Sequence, residues 1–214
     1  MMSEKSNLPL SELLRPKRID ELALPEKIIQ GLQRMFDAKA PDNMLLFGPP
    51  GTGKTSTAKI FTEQRGFYGV LLVDGSNETG IENIRNVIEG FASTYAFTPG
   101  IKICVIDDSD YLSKPAQASL RGLIERSSAH CRFILIVNDV TKIDPAVRSR
   151  LLCINFAISK ADTPAILKGV KKRIRQILVE LGWSFDEERL NQLVSENLSD
   201  LRRMANKIQF EFRK

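Results

Sequence analysis

Histidine is nearly absent from this 214-residue chain and cysteine is sparse, with one His and three Cys. A single histidine, His130, leaves little material for a His-based triad, and no nucleophile or acid is patterned around it. Cys104, Cys131 and Cys153 are scattered without metal-ligand spacing. Each lies in or beside an apolar run, so buried free thiols in a reducing compartment are predicted. No segment approaches about 18 uninterrupted apolar residues, so no membrane span is predicted. The opening MMSEKSNLPL lacks the basic-then-apolar layout of a secretory signal, and a cytoplasmic location is expected. Charge of one sign is not in large excess either. Residues 1–158 carry 19 Lys and Arg against 18 Asp and Glu, and residues 159–214 carry 12 against 8. The surplus, concentrated in KGVKKRIRQ (168–176), reads first as a solvated helix face; it permits a nucleic-acid partner without requiring one.

What is present is an alternation. Strand-like runs occur at 43–47, 69–73, 101–106, 132–137 and 151–156, separated by helix-like stretches at 54–65, 82–96, 115–127 and 145–149. Several of the strands are almost continuously apolar, the pattern of strands covered on both faces. The expected class is therefore α/β, a three-layer core around a five-stranded parallel sheet. After Phe156 the strand signal stops. Ile166, Val170, Ile174, Ile177, Leu178 and Leu181 recur at helical spacing until Gly182. Leu190, Leu193 and Val194 suggest a second helix, and Leu201, Met204, Ala205 and Ile208 a third. The predicted division is a core over 1–158 and a small three-helix unit over 159–214.

GPPGTGKT, Gly48 to Thr55, follows the first strand-like run and opens the first helix-like one. It satisfies G-x-x-x-x-G-K-[ST] in the context that pattern needs. Gly51 and Gly53 allow a tight turn in which successive N–H groups converge on phosphate oxygens, with Gly48, Pro49, Pro50 and Thr52 completing the loop. The following helix directs its positive end at the same anion. Lys54 is expected on the β- and γ-phosphates and the Thr55 hydroxyl on magnesium, making ATP and Mg2+ the expected ligands. A phosphate loop gives meaning to a second feature, KICVIDDSDYL (102–112), an apolar run ending in paired acids. Asp107 is placed to hold the metal, and Asp108 to orient and deprotonate the attacking water.

Six ordered blocks, spanning about Ser11 to Phe210, resemble AAA+ ATPases of the clamp loader family, of the bacteriophage and archaeal or eukaryotic small-subunit type. They are LLRPKRIDELALP, the phosphate loop, DGSNETGIENIR, AQASLRGLIE, RFILIVNDVTKIDPAVRSR and LSDLRRMANKIQ. The resemblance implies adenine contacts near Leu14 and Ala23, and a water-positioning role for Asn138. It implies an arginine finger at Arg150 acting on a neighbouring subunit's nucleotide, with Arg148 the near competitor. It also implies a nucleotide contact from Arg202 in the helical unit, here a lid. Partners implied are other AAA+ subunits in a ring or spiral, a pentamer in the assembled loader, together with a sliding clamp and primer–template DNA bound without sequence preference. DNA contacts would fall near Gly80, Arg85 and Arg121; no membrane partner is implied.

The chain departs from that family's pattern in three places. Asp108 stands where the family has Glu, which shortens the reach by about 1.5 Å; misplacing a catalytic group by about 1 Å can slow a reaction on the order of 10²-fold. Thr79 replaces the usual arginine before Gly80, and Leu151 the usual cysteine after Arg150. The resemblance also leads to the expectation of a helical collar after the lid, and the sequence stops at Lys214, where that collar would begin. Two other readings stay open: another DNA-associated AAA+ ATPase of the helicase-loader or branch-migration type, and a nucleotide-dependent assembly module with little hydrolysis.

Overall fold

The alternating apolar pattern folds as a three-layer α/β unit. The structure, a computed structural model, describes residues 8–64, 67–76, 81–94 and 100–213, without the side chains of 64 and 81–85. Ahead of the sheet come α1 (Leu10–Leu13) and α2 (Glu26–Asp37). The core then runs β1 (Met44–Phe47), α3 (Lys54–Gln64), β2 (Gly69–Asp74), α4 (Ile81–Ser93), β3 (Lys102–Asp107), α5 (Lys114–Arg126), β4 (Cys131–Val137), α6 (Pro145–Arg148) and β5 (Leu152–Asn155). The sheet is five-stranded, in the order β2-β3-β4-β1-β5 with every pairing parallel.

Side chains alternate across the pleat, so each central strand feeds two cores. Leu45, Cys104, Ile106, Phe133, Leu135 and Val137 pack beneath α4 and α5 with Ile88, Leu120 and Leu123. Met44, Leu46, Ile103, Val105, Ile134 and Ile136 face the other way, against Leu32 of α2 and Ile60 and Phe61 of α3. The edge strands differ from the expectation of full cover. β2 and β5 have a neighbour on one side only, and Val70, Leu72 and Leu152 remain exposed. Cys153 corrects a sequence expectation for the same reason: it lies exposed on β5, whereas Cys104 and Cys131 are buried. Burial pushes the Cys131 thiol up to about 11.

The C-terminal helical unit, the lid implied by the resemblance above, consists of α7 (Thr163–Glu180), α8 (Glu187–Glu196) and α9 (Leu201–Phe212). Ile174, Leu178, Leu190, Leu193, Val194, Met204, Ala205 and Ile208 form its core. Leu10 enters that core fully buried, and its N–H donates to Gln209 Oε1 at 2.5 Å. The segment 8–24 thus straps the two units together, since Ile19, Leu22 and Leu24 belong to the sheet's core. Arg173 of α7 fastens the strap by donating to the carbonyls of Glu21 and Arg15 and pairing with the Glu21 carboxylate at 2.9 Å.

Candidate active site

Parallel strands direct their C-terminal ends to one side, and ligands of open α/β sheets bind there. β1, β3 and β4 are neighbours through β4, so the loops after Phe47, Asp107 and Val137 meet at one edge of the sheet. The glycine positions of the first loop are conformationally required. Gly48, Gly51 and Gly53 have φ of 139°, 73° and 99°, a region that L side chains rarely adopt. A Cβ on Gly48 would also stand 3.1 Å from the Ala157 nitrogen. The hydroxyl of Thr52 donates to Pro49 O at 2.9 Å and that of Thr57 to Gly53 O at 3.0 Å, fixing the loop onto the first turn of α3.

Lys54 is buried, and its ammonium donates to Gly48 O and Pro49 O at 2.7 Å and to Asn138 Oδ1 at 3.0 Å. Burial depresses its pKa, opposed by the carboxylates of Asp107, Asp108 and Asp110 and aided by the Arg202 charge. The Thr55 hydroxyl donates to Asp107 Oδ2 at 2.9 Å, and the other Asp107 oxygen accepts from Asp108 N–H. The structure therefore brings Lys54, Thr55, Asp107 and Asn138 into one hydrogen-bonded group, from three loops up to 84 positions apart in sequence. A hydroxyl bonded to a carboxylate at the start of a helix is an oxygen donor set that fits Mg2+ beside a polyphosphate. When bound, the ion would draw charge from the phosphates; Thr55 and Asp107 are the residues that would hold it.

Asp108 has φ 48° and ψ 40°, and no other non-glycine residue among those described has a positive φ. Such a conformation costs energy and persists only where neighbours impose it. Ser109 supplies one restraint: fully buried, it donates from Oγ to Ile106 O at 2.7 Å. Burial first, and then repulsion from Asp107, Asp110 and Asp74, raises the Asp108 carboxyl above the ordinary carboxylate range. A raised carboxyl matches general-base work near neutral pH better than an ordinary one.

The lid touches the phosphate loop directly. Leu201 N–H donates to Gly51 O at 3.0 Å, and Asp200 caps α9 by accepting from Arg203 N–H. Arg202 and Arg203 are exposed beside that cap. Leu14 packs half-buried against the lid core, and Ala23 is buried with Ile166 and Leu198, so both lie at the seam of strap and lid. Arg150 is not free: Nε and Nη2 donate to Glu125 Oε1, and Nη1 donates to Ala146 O at 2.6 Å. Arg148 is half-buried with Nε lacking a hydrogen-bond partner. Arg121 is exposed on α5. Gly80, Thr79 and the side chain of Arg85 lie outside the described residues.

Sequence reasoning missed one residue that organises the site. Gln117 is buried, donates from Nε2 to Leu112 O and Lys142 O, and accepts from Asp144 N–H at 2.7 Å. It joins the turn after the paired acids to the segment leading from Asn138 toward Arg150. A glutamine in an otherwise apolar stripe of an amphipathic helix was the available signal.

The family model for ATPases associated with various cellular activities (AAA) matches residues 44–157. The chain belongs to the AAA family. Its AAA core is similar in sequence to replication factor C subunits, and the similarity extends into the lid. Replication factor C subunit 3 of Saccharomyces cerevisiae is 34% identical over 212 residues, covering 96% of this chain and 60% of that protein. Replication factor C subunit 5 of Homo sapiens is 34% identical over 209 residues, with 95% and 60% covered. The chain thus spans about three fifths of the length of these relatives. Among solved structures, the Thermotoga maritima RuvB Holliday junction branch migration motor superposes with a TM-score of 0.71 at 18% identity, over 92% of this chain and 64% of that one. That likeness concerns the fold alone.

Proposed function

We propose that this chain is an ATP-binding and ATP-hydrolysing subunit of a sliding-clamp loader acting at primer–template DNA. The observation that carries the reading is the joint placement of Lys54, Thr55, Asp107 and Asn138 at the ends of β1, β3 and β4, in a chain similar to replication factor C subunits over nearly its whole length. The loop from Gly48 to Thr55 binds the triphosphate, with N–H groups at the start of α3 and the Lys54 ammonium facing its charge. Asp108 accepts the proton of the attacking water, and Asn138 orients that water. Thr55 and Asp107 would hold Mg2+, which would supply charge neutralisation at the phosphates.

Arg150 serves as the finger toward a neighbouring subunit's nucleotide, a contribution that can reach about 10³–10⁵ in rate for related nucleotidases. Its pairing with Glu125 must then open on assembly. Arg202, beside the lid's cap on Gly51, relates lid position to nucleotide state. Partners are other AAA+ subunits in a ring or spiral of five, a sliding clamp, and DNA held through its phosphates near Gly80, Arg85 and Arg121. Such DNA binding weakens steeply with salt. The shorter Asp108 makes hydrolysis slow in the isolated chain.

ATPase assays with and without primed DNA and a sliding clamp test the reading. Joint stimulation by DNA and clamp supports it. Stimulation by another partner alone would favour a different AAA+ class, and nucleotide binding without turnover would favour an assembly module.

A further inference from the structure

We propose that Asp110 and Lys142 form a clasp setting the separation of Asp108 and Asn138, and so act as positioning residues for hydrolysis; the inference rests on the ATPase reading above. The sequence places three acids within four positions, and the site just described uses only two of them. The third, Asp110, has a side chain only 4% exposed. One of its carboxylate oxygens, Oδ2, lies 3.8 Å from Lys142 Nζ, and the other has no hydrogen-bond partner. A buried carboxylate is costly without a compensating charge. The ammonium that compensates this one comes from another loop.

The placement of the two partners gives the pair its meaning. Asp110 sits in the Ser109–Tyr111 turn immediately after Asp108, and Lys142 closes the Val140–Lys142 turn that follows Asn138. Tyr111 adds to the contact, with Lys142 Nζ 5.6 Å from its ring centre. The ion pair therefore links the two turns that carry the proposed base and the proposed water-orienting amide. It acts beside the neutral link through Gln117, which bonds the backbone of the same segments. Asp108 needs such restraint because its left-handed backbone is maintained by its surroundings. At 3.8 Å the pair is longer than a hydrogen bond, so it can tighten and draw the Asn138 turn toward Asp108.

The test compares wild type, Lys142→Met, Lys142→Arg, Asp110→Asn and the Asp110→Asn/Lys142→Met double variant. Single-turnover hydrolysis of radiolabelled ATP is measured alongside equilibrium binding of a fluorescent ATP analogue. Lys142 is about half exposed at its side chain, so its replacement leaves the core intact. Lys142→Met is expected to slow hydrolysis about 10- to 100-fold, as for a displacement on the order of 1 Å. Nucleotide affinity should stay within about twofold, Lys142→Arg should recover most of the rate, and the double variant should be no slower than the slower single variant. The clasp is overturned by an unchanged rate in Lys142→Met, by a rate loss matched by lost affinity, or by additive effects in the double variant. Wild-type protein without turnover that depends on Lys54 would overturn the ATPase reading and this inference together. Lys54-dependent turnover indifferent to the pair would overturn this inference alone.

Discussion

Replacing Gly51 by alanine should loosen the lid from the phosphate loop, and the structure sets the size of the effect. The added Cβ would lie 2.0 Å from Asp200 Oδ1 and 2.7 Å from its Cγ. The carboxylate must therefore retreat by roughly 1.4 Å to reach ordinary van der Waals contact. The same oxygen accepts the Arg203 N–H that caps α9 at 2.9 Å, so retreat breaks the cap, at about 0.5–2 kcal/mol. At φ 73° an L side chain adds about 1–2 kcal/mol of backbone cost. Together Gly51→Ala should cost about 1.5–4 kcal/mol in urea denaturation. Asp200→Gly alone should cost only a few tenths of a kcal/mol, because glycine is itself tolerated as a cap. In that background Gly51→Ala should retain only its backbone part, about 1–2 kcal/mol. An equal cost of Gly51→Ala in both backgrounds would refute the proposed contact between loop and lid.

Asp108→Asn should stabilise the protein at neutral pH while suppressing hydrolysis. The raised carboxyl binds its proton more tightly in the folded chain than in the unfolded one, so stability falls as pH rises through that window. The gain in melting temperature should therefore be present at pH 7 and disappear below the ordinary carboxylate range; a gain independent of pH would contradict the assignment. Gln117→Leu should cost about 2–4 kcal/mol in chemical denaturation, because it strands the Leu112 and Lys142 carbonyls and the Asp144 N–H. A loss under about 1 kcal/mol would mean that water or a shifted backbone replaces those bonds.

Much of the core was legible because its signals are local. The five apolar runs fall within a residue or two of the observed strands, and GPPGTGKT declares its own turn and helix. Helix α2 was missed: EKIIQGLQRMFD has the periodicity, but the preceding segment was read only for its resemblance. The strand order joins residues far apart in the chain, which no local pattern encodes. The cover on β2 and β5 followed from that order, which explains the exposed Cys153. The engagement of Arg150 by Glu125 and the seating of Asp200 on Gly51 are likewise tertiary. Leu10 packs in the lid core while Ile19, Leu22 and Leu24 pack under the sheet, so the strap before the sheet belongs to both units, which no local pattern in the sequence encodes.

The loop from Gly48 to Thr55, with Asp107, is expected to bind Mg-ATP. Equilibrium binding of labelled ATP at millimolar magnesium, compared between wild type and Lys54→Ala, tests it most directly. The expected result is saturable, magnesium-dependent binding by the wild type and an affinity at least about tenfold weaker in the variant, since the buried ammonium that would face the phosphates is lost. Absence of wild-type binding, or the same affinity in both proteins, would contradict it.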